Sequence, residues 1–311
     1  MNYVQLYQAI QDYAETTEAT FVANIPFFVI EAENRIYNSV QLAVLRKNVL
    51  GNLTQYNQYL TLPSDWKSSF SVAIIDSSGN YNYILNKDVN YIRAAYPSPT
   101  AYGMPQHYAL FGNSTSASNT LTLIMGPTPD QAYSVELHYF YYPATIVQGQ
   151  ITTVSIGSSG SLYQPGYYTE VPVSYNSGSI GSGANATATA TVNSSGAVSA
   201  LTITNGGQFY NVGNVLTISS AYLGGTGSGV TFTVTAVSNA DGTSWLGNNY
   251  DPVLFYGAMR EAVLFQRQEQ DVVKYYEDKY QEALQQLKRL GDGLDRGDAY
   301  RDGQTKLRVK S

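Results

Sequence analysis

The chain has no cysteine among its 311 residues. That excludes a disulfide scaffold and any thiolate metal site, and it fits a reducing compartment. It has two histidines, His107 and His138, and neither has ligand spacing to a second metal-binding side chain. Charge is sparse, at 13% of residues with a net of −6, so general nucleic-acid affinity through a basic surface is excluded. No apolar run approaches the ~20 residues that a membrane helix needs. The first residues lack the basic start and apolar stretch of a signal peptide. Tyrosine, in contrast, is plentiful, with 28 against 10 phenylalanines. Its ring gives large contact area with a polar tip and is enriched at protein interfaces. β-rich structure also favours tyrosine, and composition leaves both readings open.

Residues 148–240 are compositionally foreign to their flanks and internally duplicated. Ile-Thr-Thr-Val-Ser-Ile at 151–156, Leu-Tyr-Gln-Pro-Gly at 162–166, and Gly-Ser-Gly at 181–183 leading into an Ala/Thr alternation through Val192 form one copy. Val-Ser-Ala-Leu-Thr-Ile at 198–203, Phe-Tyr-Asn-Val-Gly at 209–213, and Gly-Ser-Gly at 227–229 leading into Thr-Phe-Thr-Val-Thr-Ala-Val repeat the order about 47 residues later. Low charge and β-branched residues predict strands, and the glycines mark turns. A disordered linker is the alternative; the duplication and the alternation favour a folded β unit.

The flanks read as one split domain. Tyr3, Leu6, Tyr7, Ile10 and Tyr13 predict a helix over 3–14. Asn24 before Ile25-Pro26 predicts a second helix start, with proline in its first turn. Residues 48–62 read as a strand pair broken at Tyr56-Asn57. Residues 69–75 and 81–85 flank a glycine-containing hairpin loop, and Asp88 can cap a short helix. Residues 106–111, 120–125 and 132–142 are strand-like, with Tyr133, Val135, Leu137 and Tyr139 alternating. Asp251-Pro252 opens a helix, and Val272, Tyr276, Tyr280, Ala283, Leu287 and Leu290 give the next a helical seam, with Gly291 as its C-terminal cap. The expected fold is α+β: a bundle of about four helices with a protruding antiparallel β region, plus an inserted all-β domain. The expected division is a core of 1–147 and 241–291, a module of 148–240, and an extended arm of 292–311. The last segment has no apolar periodicity, so it is either a disordered end or an arm that orders on a partner.

Candidate chemistry is thin. Gly-Gly-Thr-Gly-Ser-Gly at 224–229 precedes a strand, so no helix N-terminus waits for a phosphate, and the segment reads as a turn. His138 and Glu136 share a strand face, where a hydrogen-bonded or solvated pair is ordinary. Glu31 and Glu33, two apart on a helix, point to different sides and read as solvated. Sequons at Asn52, Asn113, Asn185 and Asn193 carry no weight without a secretion signal. No nucleophile motif is present, so the expectation is no enzyme, no cofactor and no metal.

An ordered series of motifs carries a resemblance. It comprises Tyr-Leu-Thr-Leu-Pro-Ser-Asp-Trp at 59–66, Leu-Asn-Lys-Asp-Val-Asn-Tyr-Ile-Arg-Ala-Ala-Tyr-Pro at 85–97, and Gly-Pro-Thr-Pro-Asp at 126–130. Val-Glu-Leu-His-Tyr-Phe-Tyr-Tyr-Pro at 135–143 and Thr-Ser-Trp-Leu-Gly at 243–247 complete it. Over 1–146 and 243–311 the chain resembles the head-to-tail adaptor (connector) proteins of tailed bacteriophages. The departure is the duplicated module, which interrupts a join that is nearly direct in typical members. The resemblance implies a structural virion protein, made in the host bacterial cytoplasm and placed at the virion neck. It implies a ring of identical subunits beneath the portal protein, twelve from the portal's symmetry, and a downstream tail or nozzle protein. Genomic DNA would pass through the lumen without specific binding, and no membrane is involved. It also implies a C-terminal arm docking on the portal, here with Arg296, Arg301, Lys306, Arg308 and Lys310. Val272, Tyr276, Tyr280 and Leu287 are the expected bundle or subunit packing. The rival reading is a carbohydrate- or receptor-binding tail protein, with Tyr163, Tyr167, Tyr168 and Tyr210 of the module as stacking surface.

Overall fold

The computed structural model describes residues 1–112, 121–179 and 181–305, with side chains through Gly291. The fold is α+β, with six α-helices and four sheets among the described residues. The chain divides into two compact units: Met1–Val40 with Ala144–Leu290, and Gln41–Pro143 with the chain from Gly291 onward.

The first unit begins with α1 (Tyr3–Ala14), opened by a capping box between Asn2 and Gln5. α2 (Ala19–Ser39) starts earlier than the sequence signal suggested and carries Pro26 in its interior. The proline forfeits one backbone hydrogen bond. Burial of Phe21, Ile25, Phe28, Val29, Ala32 and Ile36 along the same stripe outweighs that loss. After the β module come α4 (Trp245–Asn249), α5 (Asp251–Phe265) and α6 (Gln270–Thr305). A Cβ at Gly257 of α5 would stand 3.0 Å from Ala32 of α2 and 3.3 Å from the Tyr280 ring of α6. The missing side chain lets three helices close on one point. Around it Arg35 pairs with Glu261 at 2.6 Å, and Arg260 bridges Glu261 and Glu277.

Gly291 does not end α6, which runs on to Thr305. Its backbone stays helical rather than turning left-handed, and a mid-helix glycine costs only ~1 kcal/mol. The residue serves close approach instead, since a Cβ there would meet Leu42 at 2.9 Å.

Residues 150–238 form the module's strands. These are β9 (Gln150–Ser161), β10 (Gly166–Pro172), β11 (Ser174–Tyr175), β12 (Ala184–Val192), β13 (Val198–Gln208), β14 (Val215–Thr217) and β15 (Ser228–Ser238). The two sequence copies do not fold side by side. β9 of the first copy pairs with β15 of the second, and β12 of the first pairs with β13 of the second. Each long ladder therefore crosses between copies, and the module closes by reciprocal exchange about an approximate twofold. Equivalent backbones match: Leu162 and Phe209 have φ of 64° and 61°, and the Tyr163 and Tyr210 amides donate to Gly196 and Gly149 at 3.0 Å each. The two rings also match. A Cβ on Gly227 would lie 2.2 Å from the Tyr163 ring, and one on Gly183 would lie 2.3 Å from the Tyr210 ring. Each copy's Gly-Ser-Gly thus makes room for the other copy's tyrosine. One core joins them, from Ile151, Val171 and Ala188 to Leu216, Phe232 and Val234.

The second unit packs two antiparallel-rich sheets. One runs β1 (Arg46–Asn52), β8 (Ser134–Tyr141), β3 (Trp66–Ile75), β4 (Tyr81–Tyr83). The other runs β2 (Tyr59–Thr61), β7 (Thr122–Gly126), β6 (His107–Gly112), β5 (Leu85–Asn86), with α3 (Val89–Ala95) against it. The β3–β4 hairpin turns on Asp76, whose carboxylate accepts from the Ser78 and Asn80 amides. The strand pair expected over 48–62 is not a pair: β1 joins β8 and β2 joins β7, in different sheets. Both stretches alternate, and local pattern does not name a partner. Tyr133, Val135, Leu137 and Tyr139 point into the core between the sheets, as their alternation predicts.

Candidate interaction surfaces

Where the chain enters and leaves the module, α1 and α2 hold it through a buried polar network. The Tyr3 hydroxyl donates to Gln208 Oε1 at the end of β13, and Tyr3 and Tyr7 pack their rings on Phe209 at 5.3 and 5.5 Å. Asn239, just past the end of β15, donates to the Thr145 carbonyl at 2.8 Å and to the Thr243 carbonyl at 2.9 Å. The segments entering and leaving the module are thereby tied to each other.

Glu33 of α2 is the centre of this neck. It is only 3% exposed, so the expectation of a solvated residue is corrected. Its Oε1 accepts from the Ile146 amide at 2.9 Å. Burial pushes its carboxyl up to about 7, against the pull of the Thr145 hydroxyl and the Ile146 amide. Burial likewise raises Tyr3 far above the ordinary phenol value, with the nearby Tyr7 and Glu33 adding to it. The signal was present in the sequence: Val29 and Ile36 flank Glu33 at −4 and +3, which puts it on the apolar stripe.

On α6 the expected packing residues divide. Tyr280 and Leu287 are fully buried, Tyr276 is half-buried, and Val272 is exposed. Tyr276 belongs with Tyr13, Tyr256 and Tyr275 to an aromatic patch, and burial together with those neighbours raises its phenol. Arg296 and Arg301 lie on the helical continuation of α6, where side chains are not described, and Lys306, Arg308 and Lys310 lie outside the described residues.

The module's four tyrosines also divide. Tyr163 and Tyr210 are core residues, 3% and 2% exposed, so their assignment to a stacking surface is corrected. The Tyr163 hydroxyl accepts from the Val230 amide at 3.1 Å, and burial pushes Tyr210 up to about 12. Each is consumed in locking the exchange between copies. Tyr168 is partly buried against the same core, and Tyr167 alone stands out, 70% exposed. The histidines have local partners: His107 Nδ1 lies 2.9 Å from the Tyr96 hydroxyl, and His138 stacks edge-on against Phe70 at 5.0 Å. Glu136, beside His138, accepts from Asn48.

The polar groups gathered here hydrogen-bond to backbone and hold it in place. The SU10 adaptor protein family matches residues 1–169, more than half of the chain. The chain belongs to the SU10 adaptor protein family. The adaptor is thus a structural bacteriophage protein of the class that its ordered motifs resemble. The family match spans both sheets of the second unit and runs into β10 of the module. No curated protein matches the adaptor chain. Among its described residues no helix is long and apolar enough to cross a membrane.

Proposed function

We propose that the adaptor is a ring subunit at the virion neck, docked beneath the portal and joining it to a downstream tail or nozzle protein. The family membership carries this reading. Twelve copies would match a twelvefold portal, and a ring requires a heterologous interface that closes on itself. In this reading α1, α2, α5 and α6 act as a four-helix core, with the split core of 1–147 and 241–291 as host and 148–240 as an outward module. The aromatic patch of Tyr13, Tyr256, Tyr275 and Tyr276 supports subunit packing, because tyrosine combines apolar area with a polar tip. The net charge of −6 suits a lumen that repels phosphates and lets DNA slide. The adaptor acts by binding and positioning and carries out no catalysis.

The stretch from residue 292 docks on the portal, with Arg296, Arg301, Lys306, Arg308 and Lys310 meeting carboxylates, since guanidinium groups fork onto them. Deleting 292–311 tests this. The truncated chain is expected to keep its helical circular dichroism and to lose attachment to portal-bearing heads. Attachment as tight as that of the full chain refutes the docking role.

A further inference from the structure

The second β unit is an unclosed sandwich. β1 ends one sheet and β2 ends the other, and among the described residues neither has a strand on its outer edge. Between them opens a groove of about 280 Å³ lined by Val49, Leu50 and Gly51, by Leu60 and Leu62, and floored by Val135 and Leu137. The groove is apolar, yet Leu50 is 66% exposed beside it. β1 carries charge only at its first two residues, Arg46 and Lys47, and no proline. From Asn48 to Asn52 the outer edge is uncharged and regular, and such an edge templates the addition of another strand. The volume lies just below the usual range for small-molecule sites and suits a few aliphatic side chains.

The occupant must be an extended segment with aliphatic residues on alternate positions and backbone free to pair. The adaptor's own terminus has that pattern: Lys306, Leu307, Arg308, Val309, Lys310. In an extended chain Leu307 and Val309 share one side and the three cations share the other. Five such residues span roughly 17 Å, within the roughly 23 Å of a seven-residue strand such as β1. We propose that the groove between β1 and β2 receives residues 306–310 of a second copy of this chain, paired backbone to backbone with β1. Leu307 and Val309 fill the groove, and the cations face outward, where they remain available to a portal. This rests on the ring reading in one respect, that the donor is another copy: a tail given by each copy to the next is a heterologous contact of the kind that closes a ring.

The test uses full-length chains and light scattering. Leu50→Asp disables the groove, and Leu307→Asp with Val309→Asp disables the tail. Leu50 is exposed, so Leu50→Asp is expected to keep the wild-type circular dichroism. Each variant alone is expected to lose self-association, with at least a tenfold rise in the concentration needed. Mixing the two should restore one contact per pair and give a 1:1 dimer. Unchanged association in either variant, or no 1:1 dimer on mixing, overturns the proposal, as does a wild-type chain that stays monomeric. The ring reading is judged separately, by images of portal-bound particles. Rings that form as well with both variants would leave that reading standing and this one refuted.

Discussion

Replacing Glu33 by glutamine isolates one buried proton. Glutamine keeps the shape and the acceptor for the Ile146 amide while removing the charge. The rise of Glu33 from 4.5 to about 7 corresponds to about 3 kcal/mol, at 1.36 kcal/mol per pH unit. The sign follows from linkage: the folded chain holds this proton more tightly than the unfolded chain. The stability that depends on it is fully present below pH ~4.5 and is lost as pH rises through ~7. Urea unfolding followed by circular dichroism at pH 5 and pH 8 reads it directly. Other carboxylates titrate too, so the informative quantity is the difference between the two proteins. Near pH 4.5 they should be nearly equal. At pH 8 Glu33→Gln should be more stable by about 3 kcal/mol, roughly 6–12 °C in melting temperature for a unit of this size. Parallel pH profiles, or a glutamine variant that is weaker at both pH values, would refute the account of the neck.

Leu287→Ala should cost about 2–5 kcal/mol, since Leu287 is fully buried, and a loss below about 0.5 kcal/mol in urea unfolding would put the α6 stripe in solvent. Gly183→Ala and Gly227→Ala should destabilise the module by similar amounts, about 1–3 kcal/mol or more, because each new Cβ strikes the tyrosine ring of the opposite copy. Unequal losses measured by denaturation would break the proposed equivalence of the two exchanges. Joining Val147 directly to Thr243 should leave the helical circular-dichroism signal intact, because the module has its own core. Collapse of that signal would mean that the Tyr3, Gln208 and Phe209 contacts are essential to the helices.

Much of the adaptor was legible from local pattern. The alternation around Val135 and Leu137, the Asp88 cap and the start of α1 each follow from chemistry within a few residues, and the structure carries them. The duplication was equally plain, because self-similarity is a property of the string. Its consequence was not: two copies can stack or exchange, and only the pairing of β9 with β15 and of β12 with β13 decides. For the same reason Tyr163 and Tyr210, aromatic and flanked by turn residues, read as surface and turned out to be the locks of that exchange. Glu33 lay on an apolar stripe, but its partner, the Ile146 amide, is 113 residues away. Gly291 had a cap's composition, and the closeness of Leu42 gave it another use. β1 and β2 announced themselves as strands and left their partners, and the open groove between them, to the tertiary fold. Period, cap and turn are set by neighbours in the chain. Burial, strand partner and charge state are set by neighbours in space, and those exist only once the chain has folded.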